Sequence, residues 1–324
     1  MSLLSMLQLL EKLIKGECDY KEQTEDRSTI MKNSKTIYLF AMLIFGSIGL
    51  FAKNIDLSSG QIALVRGVIG TSFLLVACPL MKQKLSWESI RPNLILLIIS
   101  GSAIGFNWIL MFEAYKYTTI ANATLSYYFA PVFVMFLSPF ILKERLTVTK
   151  TMCILGAILG MFLIVGIGGG EGKNHIIGIS YGLSAAVLYA SVVIMNKFLK
   201  GLSGIETTII QIGSASIVLL PYILLTEKVQ VFQIDQRSFL FLLTLGIIHT
   251  GLAYLLYFTA IRKLKGQTIA VFSYTDPISA IIMSSIFLQE ELTLLQVFGG
   301  VLILGATFLS EIYDRRKISE APII

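Results

Sequence analysis

Charged side chains are scarce in this chain of 324 residues. Asp, Glu, Lys and Arg make up 14% of it and hydrophobic types 55%, whereas soluble domains carry roughly 25% charged residues. The apolar residues occur in runs of about 20, the length of a helix that spans a bilayer. The composition therefore argues against a soluble domain and predicts an all-α integral membrane protein. The net charge of +6 does not indicate nucleic-acid binding, because the basic residues are scattered between apolar runs.

The residues that build metal, redox or catalytic centres are also rare. Three cysteines and two histidines are too few and too widely spaced for a disulfide framework or a zinc site. The segment GGGEGK at 168–173 resembles a phosphate-binding loop, but Ile167 and Asn174 stand where that motif requires glycine and Ser or Thr. We therefore expect no enzyme, no catalytic residue, no metal and no cofactor.

Ten apolar runs predict ten transmembrane helices joined by short loops. They cover approximately residues 36–53, 60–81, 93–115, 119–142, 149–167, 176–198, 205–225, 238–260, 267–288 and 294–313. The first 33 residues differ: an amphipathic helix that rests on the membrane is followed by a polar, flexible tether. An upstream start codon could instead account for this segment.

Two stretches of the chain align without a gap at a spacing of 146 residues, from Gly105 to Thr147 and from Gly251 to Thr293. Apolar composition alone would not keep glycine, tyrosine, proline and glutamate in register. The matched pairs include Gly105/Gly251, Tyr128/Tyr274, Pro131/Pro277 and Glu144/Glu290. The chain is therefore predicted to be a duplication, with repeats at 34–170 and 171–316 between the N-terminal segment 1–33 and a tail at 317–324.

Lysine and arginine are concentrated on one side of the predicted spans. With the N-terminus in the cytoplasm, 20 of the 26 basic residues fall on the inner side and 5 on the outer side, and Arg66 lies within the second run. This bias predicts that both termini are cytoplasmic. Five spans separate equivalent positions, so the second repeat is inverted relative to the first, as in many secondary transporters that work by alternating access.

These features resemble the drug/metabolite transporter superfamily, EamA type. Each half carries a proline and then Glu-x-Leu-Thr at the end of its fourth span, and Arg66 lies in the second span. Glycines recur in the fifth spans at Gly156/Gly160 and Gly299/Gly300. The resemblance implies a secondary carrier of small metabolites, often an amino-acid exporter.

Asp276, Tyr128 and His249 all fall near the middle of their predicted spans. At about 1.5 Å per residue, Asp276 lies roughly 14 Å from the end of its helix. A carboxylate at that depth is costly, so Asp276 should face a cavity or a partner. It is predicted to bind a cationic group or to take up a proton. Alternatively, it caps backbone groups freed by Pro277 or pairs with Arg66.

Arg66 could hold a carboxylate of a substrate or pair with Glu113. His249 would titrate near neutral pH if unperturbed, or it could be hydrogen-bonded and inert. Pro131 and Pro277 each remove a helical hydrogen bond and are candidate hinges, or merely kinks packed by neighbours. The candidate substrate-binding residues are Arg66, Asn107, Trp108, Tyr128, His249, Tyr254, Tyr274 and Asp276.

The leading hypothesis is a secondary transporter in the cell membrane that exports a small amino-acid-like or amphipathic solute. Its partners would be the solute, the lipid bilayer and, as a coupling ion, the proton; no nucleic acid is expected. A non-transporting scaffold or sensor is the alternative, and an intramembrane enzyme is the weakest one, because no pair of catalytic groups is evident. The oligomeric state is left open.

Overall fold

The computed structural model describes residues 27–80, 85–143, 147–164, 173–231, 233–261, 264 and 266–319. The predicted amphipathic helix at the N-terminus lies outside these residues. The first helix already begins at Arg27, inside the segment predicted to be a flexible tether. The last helix continues to Ser319, beyond the predicted end of the tenth span.

The described residues form helices and turns and contain no strand. In chain order the helices are α1 (Arg27–Gly46), α2 (Ile48–Ala52), α3 (Ser59–Leu80), α4 (Trp87–Ile90), α5 (Leu94–Tyr117), α6 (Ile120–Tyr127), α7 (Ala130–Ile141), α8 (Val148–Phe162), α9 (Lys173–Asn196), α10 (Gly204–Thr226), α11 (Gln236–Thr244), α12 (Ala253–Ile261), α13 (Gly266–Ser273), α14 (Thr275–Leu288) and α15 (Leu294–Ser319). A 3₁₀ turn at Arg91–Asn93 joins α4 to α5, and a π-helical turn at Leu245–Leu252 joins α11 to α12.

Seven helical segments in the described part of the chain are long and apolar enough to cross a bilayer. They are Ser34–Ala52, Ser59–Pro79, Trp87–Tyr117, Ile120–Ile141, Asn174–Asn196, Gly204–Thr226 and Gln236–Ile261. Three shorter apolar helices accompany them, at Val148–Phe162, Thr275–Leu288 and Leu294–Ser310. The prediction of an all-α membrane protein is therefore confirmed.

Two of the helical interruptions occur at equivalent places in the two aligned stretches. α6 ends at Tyr127 and α13 ends at Ser273, in each case four residues before a proline, Pro131 or Pro277. A proline in a helix clashes with the carbonyl group four residues earlier and cannot donate a hydrogen bond to it. The helix is therefore broken at Tyr128 and at Tyr274 rather than bent at the prolines themselves.

Helices from the two halves of the chain alternate in the bundle. α9 packs along α5, α10 lies against α3 and α5, and α3 contacts the π-helical turn. α1 packs against α12 and α14, and α15 runs along α8. The buried core lies mainly where these interfaces between the halves meet.

Glycine permits close approaches between helices at several places. A Cβ atom at Gly105 would lie 3.1 Å from Leu219, and one at its equivalent Gly251 would lie 2.5 Å from Phe73. Gly160 of α8 and Gly299 of α15 face each other so closely that a Cβ on either would lie within 2.6 Å of the carbonyl oxygen of the other. The Gly-x-x-x-Gly step that ends at Gly160 thus serves a contact inside the chain.

Candidate functional site

A cavity of about 670 Å³ lies between helices of both halves. Ligand sites in proteins are usually concave, with apolar and aromatic walls and a few polar groups that fix orientation. This cavity has that composition. Seven of the residues proposed from the sequence line it, namely Arg66, Asn107, Trp108, Tyr128, Pro131, Tyr254 and Asp276.

Asp276 and Tyr128 join the two halves across the cavity. The Tyr128 hydroxyl donates a hydrogen bond of 2.7 Å to Oδ2 of Asp276. Tyr128 is the residue at which the helix breaks between α6 and α7, and Asp276 lies in the first turn of α14. The helix dipole favours a negative charge at such a position. The two breaks thus bring an acid and a phenol together in the wall of the cavity.

No basic side chain in the described part of the chain lies within ion-pair distance of Asp276. The alternative prediction that Asp276 pairs with Arg66 is therefore wrong. The alternative pairing of Arg66 with Glu113 is wrong as well, because Glu113 pairs with Lys116 at 3.2 Å.

Arg66 is 3% exposed, and its guanidinium group lies against aromatic rings. The guanidinium carbon is 4.4 Å from the centre of the Trp108 ring and 5.6 Å from that of Phe112. Its Nε donates a hydrogen bond of 3.0 Å to Oγ1 of Thr250 in the π-helical turn. Desolvated cation–π contacts of this kind stabilise a buried guanidinium by about 2 kcal/mol.

Sequence reasoning did not identify Thr250, although the polar pair His249–Thr250 within an apolar span was a usable signal. It also did not single out most of the aromatic wall. That wall includes Tyr38, Phe45, Phe112, Tyr115, Tyr127, Tyr189, Tyr257 and Phe258. Scattered aromatic residues are common in membrane spans, so only the tertiary arrangement separates the cavity wall from lipid-facing rings.

Asn107 and Gln211 use their amides mainly to connect helices. Nδ2 of Asn107 donates to the Ala185 carbonyl at 2.6 Å, which links α5 to α9. Nε2 of Gln211 donates to Ser100 and to Asn196, both at 2.7 Å. Gln211 also lines the cavity, close to the place that Arg66 occupies in the other half.

Three predicted residues lie outside the cavity lining. His249 is 1% exposed, and its ring nitrogens contact Oγ of Ser47 at 2.9 Å and the Thr244 carbonyl at 3.2 Å. A carbonyl can only accept, so Nδ1 carries a proton and a neutral ring uses Nε2 as the acceptor. Tyr274 packs edge-on against Phe308, and Pro277 is buried within α14.

The cavity extends toward the turn between α9 and α10. Asn196, Leu199, Leu202 and Gly204 are among its lining residues. The residues of α9 that line the cavity lie between Tyr189 and this turn. The opposite end of α9 lies next to Thr118, whose Oγ1 is 2.8 Å from Nδ1 of His175. One end of the cavity therefore lies at the turn between α9 and α10, and the other end points toward the start of α9.

A charged contact lies at the other end. Both carboxylate oxygens of Glu290 accept the backbone N–H of Ile120, at 3.0 and 2.9 Å. Oε1 of Glu290 also pairs with Nζ of Lys53 at 2.8 Å. Glu290 thus ties the end of α14 to the first residue of α6 and to the residue after α2. We call this contact, made by Lys53, Ile120 and Glu290, the Glu290 contact.

Taken together, the described chain is a multi-pass, all-helical membrane protein whose two halves enclose a mixed polar and aromatic cavity. The model of the EamA-like transporter family matches residues 36–166 and 176–311. The chain belongs to the EamA-like transporter family. Its predicted place in the drug/metabolite transporter superfamily is confirmed.

Similar proteins support the same assignment. The uncharacterized transporter YxxF of Bacillus subtilis is 30% identical over 299 residues, which cover 91% of this chain and 95% of that protein. An uncharacterized transporter of Archaeoglobus fulgidus is 25% identical over 86% of this chain and 97% of its own length. A protein crystal structure with 18% identity has a TM-score of 0.58, covering 90% of this chain and 99% of that one, and shares the fold. The protein is a membrane transporter of a small molecule and not an enzyme.

Proposed function

We propose that this transporter is a secondary carrier with ten spans in two inverted halves, 34–170 and 171–316. The seven long segments, together with α8, the pair α13–α14, and α15, would supply the ten spans. The packing supports this arrangement, because contacts recur with the halves exchanged. α1 packs on α12 and α14, and at a spacing of 146 residues the counterpart of that packing is the contact of α9 with α5 and α7. Inverted repeats of this kind underlie alternating access in many carriers.

The charge bias of the loops orients the proposed carrier. On this bias the protein would lie in the plasma membrane, with both termini and the turn between α9 and α10 on the cytoplasmic side. The cavity would then be open to the cytoplasm, and the Glu290 contact would close its outer end. Glu144, which is equivalent to Glu290, lies outside the described residues.

The cavity suits a small amphipathic solute of the amino-acid type. Arg66 and Asp276 provide groups for opposite charges, and the aromatic rings provide flat apolar walls. Loading from the cytoplasm and release outside would make the carrier an exporter. The breaks that precede Pro131 and Pro277 would serve as hinges, because they leave short half-helices that can tilt separately.

One observation carries the proposed coupling mechanism. Asp276 is a carboxyl group within the spans, it lines the cavity, and it bonds to Tyr128 of the other half rather than to a base. Intramembrane carboxyl groups of this kind commonly mark ion or proton pathways. Exchange of a proton for a cationic group of the solute at Asp276 would link solute binding to the contact between the halves.

The test is solute flux in proteoliposomes with a pH gradient that is imposed and then collapsed. Wild-type protein should accumulate solute only with the gradient, and Asp276→Asn should abolish this accumulation while the protein remains folded by circular dichroism. Asp56→Asn is the matched control, because Asp56 is exposed in the turn between α2 and α3. Gradient-driven accumulation at the wild-type level in Asp276→Asn would remove Asp276 from the mechanism.

A further inference from the structure

Arg66 uses only part of its hydrogen-bonding capacity. A guanidinium group has five N–H donors, and in the described part of the chain one of them, on Nε, has an acceptor, the Thr250 hydroxyl. The remaining four donors belong to the two terminal nitrogens. The side chain is buried among aromatic rings and lines the cavity. Buried polar groups are normally hydrogen-bonded, so an acceptor supplied from within the cavity would complete this site.

The surroundings of Arg66 fix its plane and leave one edge available. The Trp108 ring lies 4.4 Å from the guanidinium carbon, and Phe112 lies further away at 5.6 Å. Thr250 occupies the Nε edge. A guanidinium held in this way presents its terminal nitrogens in the fork geometry that binds planar oxyanions by two parallel hydrogen bonds.

Thr250 is held in place by the π-helical turn. Its hydroxyl donates a hydrogen bond of 2.9 Å to the Leu245 carbonyl, five residues earlier, so its lone pairs remain available to Nε of Arg66. Gly70 of α3 makes room for this approach, because a Cβ atom there would lie 2.3 Å from Cγ2 of Thr250. Turns of π-helix occur frequently at functional sites, and this one places the hydroxyl next to Arg66.

We infer that Arg66 binds a carboxylate of the transported solute and that Thr250 is the residue that positions it. This inference rests on the proposed carrier function and specifies the solute class. A singly charged carboxylate fits better than a phosphate, because Asp276 lines the same cavity and would repel a dianion. In the described part of the chain no acidic side chain pairs with Arg66. A carboxylate of the solute would therefore also neutralise this buried charge in the low-dielectric interior.

The fluorescence of Trp108 allows binding to be measured directly at Arg66. The chain has two tryptophans, and Trp87 is exposed on α4. Trp87→Phe therefore leaves Trp108 as the single reporter in the full-length, purified protein. The probes are pairs of amino acids and their amides, including leucine with leucinamide and phenylalanine with phenylalaninamide. Each amide keeps the amine and the side chain but lacks the carboxylate.

The parent protein should bind a carboxylate probe about 10- to 100-fold more tightly than its amide, the range for hydrogen bonds to charged groups. Thr250→Val keeps the shape of the side chain and should weaken carboxylate binding about tenfold while amide binding stays unchanged. Thr250→Ser should restore the preference. Thr244→Val is the matched control on the same span, because the Thr244 hydroxyl bonds to Leu240 and not to Arg66.

Arg66→Gln should remove the preference for carboxylates altogether. If that variant does not fold, Arg66→Lys takes its place. It keeps the charge without the fork and should reduce the preference. Equal binding of every carboxylate and its amide by the parent protein, or no binding of any probe, would overturn the inference. Equal weakening of both probes in Thr250→Val would show a structural role only and would overturn the positioning role. Carboxylate binding without flux in proteoliposomes would instead refute the carrier function, and only the carboxylate site at Arg66 and Thr250 would remain of the inference.

Discussion

The Glu290 contact gives a quantitative prediction about closure of the cavity. Glu290→Gln keeps the size of the side chain but removes its charge from both Lys53 and the N-terminus of α6. Lys53 is 35% exposed, and Glu290 is 8% exposed, so the ion pair contributes at most about 1 kcal/mol. A negative charge at a helix N-terminus adds roughly 0.3–1 kcal/mol. Together they amount to about 1–2 kcal/mol, which is a shift of roughly 5- to 30-fold in a two-state equilibrium.

The assay is labelling of a cysteine in the cavity by a membrane-impermeant thiol reagent. Thr124 lines the cavity one turn of α6 beyond Ile120, so Thr124→Cys in a background without the three native cysteines reports access from the Glu290 end. Added from outside the cell, the reagent should react about tenfold faster in Glu290→Gln, in line with the population shift. Glu291→Gln is the matched control, because Glu291 is the exposed neighbour.

Equal labelling rates of Thr124→Cys in the parent, in Glu290→Gln and in Glu291→Gln would refute this reasoning. Closure would then depend on apolar packing at this end and not on the charged contact. Faster labelling from the cytoplasmic side instead would place the Glu290 contact on the other membrane face and would reverse the proposed orientation.

Two further predictions concern stability and pH. Gly160→Ala should lower the melting temperature, because overpacking against Gly299 costs about 1–3 kcal/mol of stability. Gly156→Ala is the control and should be tolerated, because its Cβ would meet only Ala306, at 3.9 Å. Equal melting temperatures of the two variants would contradict this packing. Hydrogen bonds from the Ser238 side chain and from nearby backbone N–H groups lower the pKa of Asp235, which caps α11. This stabilisation is present above the ordinary pKa of an aspartate and is lost as the pH falls through the lowered pKa, so amide exchange at the start of α11 should accelerate there, and Asp235→Asn should remove that pH dependence.

Much of the candidate site could be predicted because membrane spans make polar residues conspicuous. Asp276, Arg66 and Asn107 stood out in apolar runs, and the spacing of 146 residues paired Tyr128 with Tyr274. The spacing could not predict that Tyr128 and Tyr274 contact different partners. Tyr128 bonds to Asp276 across the cavity, whereas Tyr274 packs on Phe308. Equivalent positions have different neighbours because Asp276 has no carboxylate counterpart at Ala130 in the other half.

The linear sequence also could not assign partners to the charged groups. Glu113 is a plausible partner for Arg66 by depth alone, yet it pairs with Lys116 one helical turn away. His249 was a candidate for proton exchange by its ordinary titration range. Its neighbours Ser47 and Thr244 hold both ring nitrogens outside the cavity. Partners of this kind depend on helix rotation, which a nearly uniform apolar span does not encode.

The sequence by itself determined the environment, the helical class and the duplication, because the bilayer requires long apolar helices and a repeat persists in the order of residues. It also marked Pro131 and Pro277 as places where a helix could be interrupted, although α10 continues through Pro221 without a break. Only the tertiary structure decided which polar groups share a cavity, that Thr250 holds Arg66, and that Glu290 joins three helices. Those contacts arise between residues more than 100 positions apart, and their geometry is set by how the two halves pack.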